Sequence, residues 1–323
     1  MKTALCLPLL LLAPGLAAAA FSRQEAGTAA GQFLTLGADA RSAGMAEAVR
    51  GFAEDATAVY WDPAGLASLE QAHASFTHGA YYQSVFYDFL AYAQPIQSIL
   101  GPGERFLKPS QLGSVGVALL YLNAGSINEA DNTGAPTGQN FMPQDFAIMT
   151  AWGTAITRDL DLGVGAKFIS SHIEETAATG AVDLAARLHL IFAEMPDTLA
   201  AGVQNLGGQL KFVSQAAPLP LQIFVGNALR PTRDWAITAD VVAPRDGRPY
   251  PAFGTELRFP FDQAMAAELR AGYQGRTDSK DLAGRAGLAV GGGLSLRHFS
   301  FDYAWAAFGL LGDTHRFSLS YRF

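Results

Sequence analysis

Cysteine is almost absent. The single Cys6 lies in a leader described below, so the rest of the 323-residue chain carries no thiol. That excludes disulfides, thiol nucleophiles and cysteine-based metal sites. Charge is also scarce. Asp, Glu, Lys and Arg make up 16% of the residues, against roughly 25% in an average soluble domain. Positive charge in particular is short. The net charge of −7 gives no support to a nucleic-acid partner. Catalytic signatures are missing: there is no His-Glu-x-x-His, no Gly-x-Ser-x-Gly and no Walker loop. No carboxylates pair at a motif spacing, and His73, His78, His172, His189, His298 and His315 scatter over different predicted strands. The expectation is a non-enzyme with no cofactor and no metal. The last absence is the most telling. Hydrophobic residues reach 50%, yet beyond the N-terminus no run holds the roughly 18 uncharged apolar residues of a membrane helix. Apolar composition without an apolar run is what a transmembrane β-barrel produces, because lipid-facing and lumen-facing residues alternate.

Residues 1–20 read as a secretory leader. Lys2 supplies the positive end, residues 4–12 the apolar core, Pro14-Gly15 its break, and Ala18-Ala19-Ala20 a small-residue cleavage site before Phe21. Export and a thiol-free barrel together point to the bacterial outer membrane. The remaining chain divides into an N-terminal segment, 21–70, and a barrel, 71–323.

The barrel is legible as period-2 alternation. Met265, Ala267, Leu269, Ala271 and Tyr273 oppose Ala266, Glu268, Arg270, Gly272 and Gln274. Phe253, Leu257 and Phe259 oppose Glu256 and Arg258. Val182, Leu184, Ala186, Leu188 and Leu190 oppose Asp183, Arg187 and His189. About fourteen such segments occur, an even number as in bacterial barrels. Their predicted spans are 71–79, 85–94, 113–123, 144–156, 161–173, 181–192, 198–205, 220–228, 235–242, 251–260, 264–274, 284–296, 299–307 and 315–323. Short and long connections mostly alternate, as periplasmic turns and external loops do. The exception is 95–112, long on the short-turn side. Counting strands puts both termini on the short-turn side. The many glycines within strands, such as Gly163 and Gly165, read first as devices for tight wall curvature, with facing a plug as the alternative.

Residues 31–69 show no strand pattern. They are rich in Ala and Gly and read as short helices joined by turns, a plug seated in the barrel. Asp55 is placed to cap a helical turn over 56–60. Pro63 breaks that turn, and Gly65 permits the chain to reverse. Phe33, Phe52, Tyr60, Trp61, Asp62, Pro63 and Leu66 are the candidate plug residues. The aromatics among them either anchor the plug to the wall or line an apolar pocket. Lys167, Asp183, Arg187, Asp240, Glu256, Arg258, Glu268, Arg270 and Asp302 fall opposite the apolar stripe and are the candidate lumen charges. With both signs mixed they are expected to pair with one another and with the plug, a lined conduit being the alternative. Trp152, Trp235, Trp305, Tyr121 and Tyr273 lie near strand ends, where interfacial girdles form. The last strand alternates without fault and ends on Phe323, with Tyr321 two residues before. That ending looks like the recognition signal of outer-membrane barrels, addressed to the barrel-assembly machinery.

Three stretches, 37–69, 203–230 and 301–323, resemble one family, the PorV/PorQ outer-membrane proteins of the FadL-like barrels. The resemblance covers essentially the whole chain after the leader. It departs at Asp62, where the family usually has Asn before Pro-Ala-Gly. It implies a 14-stranded barrel with an N-terminal hatch. It also implies a secretion-related role of PorV type, binding and handing over exported protein cargo, with secreted proteins or secretion subunits as partners. The alternative it carries is a FadL-like passive transporter of hydrophobic solutes such as fatty acids and hydrocarbons. Outer-membrane lipid is a partner under either reading.

Overall fold

The structure is a computed structural model that describes residues 25–81, 85–100, 112–131, 133–212, 214–276 and 286–323. The predicted leader, with its cleavage site and Cys6, lies outside the described residues.

Eighteen strands occur among the described residues: β1 His73–Ala80, β2 Phe86–Pro95, β3 Ser114–Asn123, β4 Ile127–Ala130, β5 Pro136–Phe141, β6 Gln144–Ala155, β7 Leu160–His172, β8 Thr176–Phe192, β9 Met195–Gly207, β10 Gln209–Phe212, β11 Gln215–Pro218, β12 Gln222–Thr232, β13 Trp235–Pro244, β14 Tyr250–Pro260, β15 Met265–Gln274, β16 Leu288–Leu296, β17 Phe299–Ala307 and β18 Asp313–Arg322. Fourteen of them form a closed antiparallel barrel in the order β1-β18-β17-β16-β15-β14-β13-β12-β9-β8-β7-β6-β3-β2. Closure is made by β1 and β18, paired from His73↔Arg322 to Ala80↔His315. Closure matters in lipid, where a sheet edge would leave backbone groups without partners. The remaining strands form two hairpins, β4-β5 and β10-β11, in loops between barrel strands.

Side chains alternate across the wall as the sequence pattern requires. In β15 Leu269 is 58% exposed, whereas its neighbours Glu268 and Arg270 are 6% exposed. Phe76, Leu90, Phe168, Phe301 and Phe317 share the exposed outer set. Trp152 and Trp235 stand on the same outer face near the short turns. Trp152 donates from Nε1 to the Leu112 carbonyl and Trp235 to the Thr255 hydroxyl. No described helix is long and apolar enough to cross a membrane.

The predicted strand spans hold to within a few residues, with informative misses. β8 begins at Thr176 rather than 181, because it continues pairing with β7 to His172↔Thr176. That extension leaves the apolar band, so its sequence shows no alternation. The two loop hairpins were not predicted for the same reason. Within the predicted connection 95–112, residues Ile96–Leu100 form a short helix, α3.

The N-terminal segment contains short helical pieces: a 3-10 turn Gln32–Thr35, α1 Ala40–Gly44, α2 Ala58–Trp61 and a 3-10 turn Pro63–Ser68. Three sequence expectations are corrected here. The helical turn starts at Ala58, not 56. Asp55 Oδ1 instead accepts from the Thr57 amide and hydroxyl at 2.8 and 2.6 Å, bracing the entry. Gly65 lies inside the 3-10 turn and does not take a left-handed φ. It is needed for room: a Cβ there would sit 2.6 Å from an Arg187 nitrogen. The described chain also does not start on the short-turn side. Ala30 N donates to Pro218 O, Arg276 donates to Thr35 O, and Gln32 donates to Asp246. All three partners lie at the long-loop end. Strand parity counts wall crossings only, and this segment makes one further crossing before β1 begins near the short turns.

Candidate functional site

Between the long loops and the short turns, residues 29–69 meet the inward-facing set of strands around the circumference. α1 contacts β15, β16, β17 and β18. The 3-10 turn Pro63–Ser68 contacts β3, β6, β7 and β8. Between them, Arg50 reaches Asp240 on β13 and Gln222 on β12. Ala, Gly and short polar residues in this stretch allow such close approach, and the wall reciprocates. A Cβ on Gly163 would sit 2.7 Å from Ala64 Cα, and one on Gly272 would sit 2.7 Å from Ala46 N. No side chain fits at such distances. Gly163 and Gly272 therefore admit the segment, whereas a Cβ on Gly165 would meet only ordinary contacts, at 3.4 Å and beyond.

The aromatic residues anchor it. Phe33, Phe52, Tyr60, Trp61 and Leu66 are all buried in cores shared with the wall. Tyr60 packs edge-on against Trp61 and against Phe89 of β2, donates its hydroxyl to Leu34 O, and accepts from Gly37 N. Trp61 Nε1 donates to Asp39, which also caps α1 by accepting from Ser42 N. Phe52 lies beneath the Arg41 and Arg230 guanidinium groups, 4.4 and 5.2 Å from its ring centre. Phe52 also borders the polar cavity described below, whereas Phe33, Tyr60 and Trp61 pack in the core shared with the wall.

All nine inward charges find partners. Lys167 pairs with Asp183 at 2.7 Å and donates to Asn205 Oδ1, and the Asn205 backbone N–H donates to Asp183. Arg258 faces Glu268 at 3.6 Å. Arg270 bridges Glu256 and Asp302, at 2.6 Å to each. The segment supplies the rest. Arg41 holds Glu256 through both guanidinium ends at 2.7 Å. Arg50 pairs with Asp240 at 3.3 Å. Arg187 Nε donates to Asp62 Oδ2 at 2.5 Å, both side chains fully buried, while its Nη2 donates to the Arg50 and Ala53 carbonyls. Asp62 Oδ1 caps the following turn by accepting from Ala64 N at 3.0 Å, with Pro63 at its start. Both carboxylate oxygens are thus used as acceptors, and a carboxylate suits this position better than the amide of the resembled family.

The sequence reading passed over the segment's own cations, Arg41 and Arg50, and over Arg316 of β18. Arg316 is buried, donates to Leu36 O and the Tyr81 hydroxyl, and faces Glu47 at 3.3 Å. Its place on the inward phase of the last strand was the available signal. For Arg41 and Arg50 none existed, because the segment has no period.

Two cavities flank this arrangement. A polar one of about 350 Å³ opens at the short-turn end, bounded by Arg41, Asp55, Glu256, Arg270 and Asp302. An apolar depression of about 700 Å³ lies in the wall over β6, β7, β8, β9 and β12. Its lining includes Trp152, Val164, Leu184 and Ile223, with the small residues Gly163, Ala185, Ala186, Ala201 and Gly202 between them. The β8-β9 register shifts beside it, between Val182 and Leu184, and Asn205 there takes a left-handed φ of 58°.

No protein-family model matches the chain, and no curated protein matches it in sequence. Solved structures do match. A deltaS2S3 mutant of the TodX monoaromatic hydrocarbon channel is similar at a TM-score of 0.55 and 10% identity, over 88% of this chain and 98% of that one. The Pseudomonas putida toluene transporter TodX gives 0.54 and 8% identity, over 88% and 96%. The likeness is one of fold.

Proposed function

We propose that the chain is a bacterial outer-membrane barrel that passes hydrophobic small molecules, with residues 29–69 as a plug in its bore. The FadL-like alternative is thereby preferred to the cargo-handing role. The observation that carries it is the apolar depression in a wall of small residues, beside a bore where residues 29–69 contact strands around the circumference. A water-soluble solute needs a wet path along the axis, and there the segment is held by buried ion pairs and by Phe33, Tyr60 and Trp61. An apolar solute gains by leaving water for lipid and can use the wall. The depression falls within the usual size range of small-ligand pockets. The likeness in fold to the TodX channels supports the same reading. The PorV/PorQ assignment, with its cargo partners, rests on the resembling sequence stretches alone.

In this reading the nine inward charges and the plug aromatics are structural. Tyr321 and Phe323 end the closing strand as an assembly signal, with Phe323 N held by Ala72 O. The test is uptake into cells lacking the protein and complemented with variants. Filling the depression by Ala201→Trp is expected to lower uptake of a labelled hydrophobic solute toward the null strain, with hydrophilic permeability unchanged. Uptake at the wild-type level would defeat the transport reading. Co-purification of exported proteins, with uptake unaffected by deletion of the gene, would restore the cargo role.

A further inference from the structure

A second cavity on the outer face, of about 530 Å³, lies among the short turns at β15, β16, β17 and β18. Its walls are apolar, formed by Met265, Leu296, Phe299 and Tyr321. The first three are well exposed on the outer face, at 42%, 47% and 44%. The Phe299 and Tyr321 rings pack at 4.7 Å, and His298 lies against Tyr321 at 6.0 Å. The far end of the cavity is charged. Arg297 and His298 form the tight turn between β16 and β17, and Asp262 belongs to the turn between β14 and β15.

The backbone that carries these charges is held, and the charges are not used up. Arg297 takes a left-handed φ of 54°, and its amide donates to Ala264 O at 2.6 Å, tying the two turns together. Its guanidinium makes no ion pair among the described residues. Asp262, which lines the cavity, accepts from the Ala264 and Met265 amides through Oδ1 at 2.6 and 2.7 Å, and its Oδ2 has no partner among the described residues. A cation and a carboxylate stand together at the polar end of an apolar slot, on the lipid-facing side of the wall.

Resting on the reading of this chain as an outer-membrane barrel, we infer that this cavity binds a glycerophospholipid whose headgroup carries both a phosphate and a protonated amine. The acyl chains lie along Met265, Leu296 and Phe299. The phosphate meets Arg297 and His298, and the ammonium donates to Asp262. A purely anionic lipid would leave Asp262 facing the phosphate unrelieved. A quaternary amine has no proton to give it.

The test is native mass spectrometry of the whole protein, released from vesicles of equal parts phosphatidylethanolamine, phosphatidylglycerol and phosphatidylcholine. Wild type is expected to retain phosphatidylethanolamine preferentially. Arg297→Asn, chosen because Asn tolerates the left-handed backbone, is expected to lower retention by about fivefold, the worth of one interfacial arginine. Asp262→Asn keeps the turn's acceptor and is expected to abolish the preference while phosphatidylglycerol binding persists. Arg158→Ala, on another short turn, is expected to change nothing. Equal retention of the three lipids by wild type, or retention indifferent to Arg297, would overturn the site. So would displacement by glycerophosphoethanolamine at equal concentration, since that headgroup lacks the chains the apolar walls require. Heat-modifiable gel migration is measured on the same samples. Its loss in wild type would mean the barrel reading itself had failed, whereas its retention with indifferent lipid binding would condemn the site alone.

Discussion

Asp62 and Arg187 offer the sharpest probe of how the N-terminal segment is held. The pair is fully buried, with Arg187 Nε 2.5 Å from Asp62 Oδ2 and the Arg187 Nη2 occupied by the Arg50 and Ala53 carbonyls. Replacing Asp62 by Ala strands a buried guanidinium, which costs about 3–5 kcal/mol. It also removes the acceptor for Ala64 N, worth about 1 kcal/mol. Asp62→Asn can keep that acceptor, but its NH2 then faces Arg187 Nε, so the guanidinium is stranded there too and only the cap, about 1 kcal/mol, is saved. The assay is hydrogen exchange of the reconstituted barrel. The amides of Trp61, Asp62 and Gly65 donate to Thr57, Ala58 and Asp62 carbonyls and report local opening. In Asp62→Ala they are expected to exchange roughly 1,000- to 10,000-fold faster, each 1.4 kcal/mol being tenfold. The α1 amides, held separately through Asp39, are expected to change far less. The double variant Asp62→Ala, Arg187→Met removes the stranded charge and is expected to recover part of the protection. Protection unchanged in Asp62→Ala, or lost additively in the double variant, would refute the argument that this pair seats the segment.

Other expectations follow from the same contacts. Gly163→Val has no space against Ala64 and is expected to unseat the segment or block folding, read as lost heat-modifiable migration. Gly180→Ala, whose added Cβ would meet only Lys167 O at 3.5 Å, is expected to fold normally. Deleting residues 31–69 is expected to raise leakage of small hydrophilic solutes, and unchanged permeability would count against a plug. In the β4-β5 hairpin, hydrogen bonds from the Thr133 hydroxyl and amide and from the Ala135 amide hold the Asp131 carboxyl below its ordinary range. A carboxylate favoured in the folded loop stabilises it above the ordinary value, and that support is lost as pH falls through the lowered one. The turn is therefore expected to stay ordered through mildly acidic pH, measured by amide exchange at Thr133 and Ala135, and Asp131→Ala to loosen it at every pH.

The sequence by itself determined the wall. Alternation is a local property of an extended chain, so Leu269 and Arg270 announce their opposite faces without reference to any other strand. Strand number, the placement of strands within the apolar band, and the inward phase of all nine charges followed from it. What has no period was not legible in that way. The hairpins β4-β5 and β10-β11 stand outside the apolar band, where nothing forces alternation. The roles of Gly163 and Gly65 depend on what lies opposite them, Ala64 in one case and Arg187 in the other. Only the tertiary structure decided the route of the N-terminal segment, because that route is set by partners far along the chain. Arg187 lies 125 residues from Asp62, and Arg316 lies 269 from Glu47. An ion pair forms where two charges are brought together and desolvated, and no residue's own neighbours in sequence carry that information.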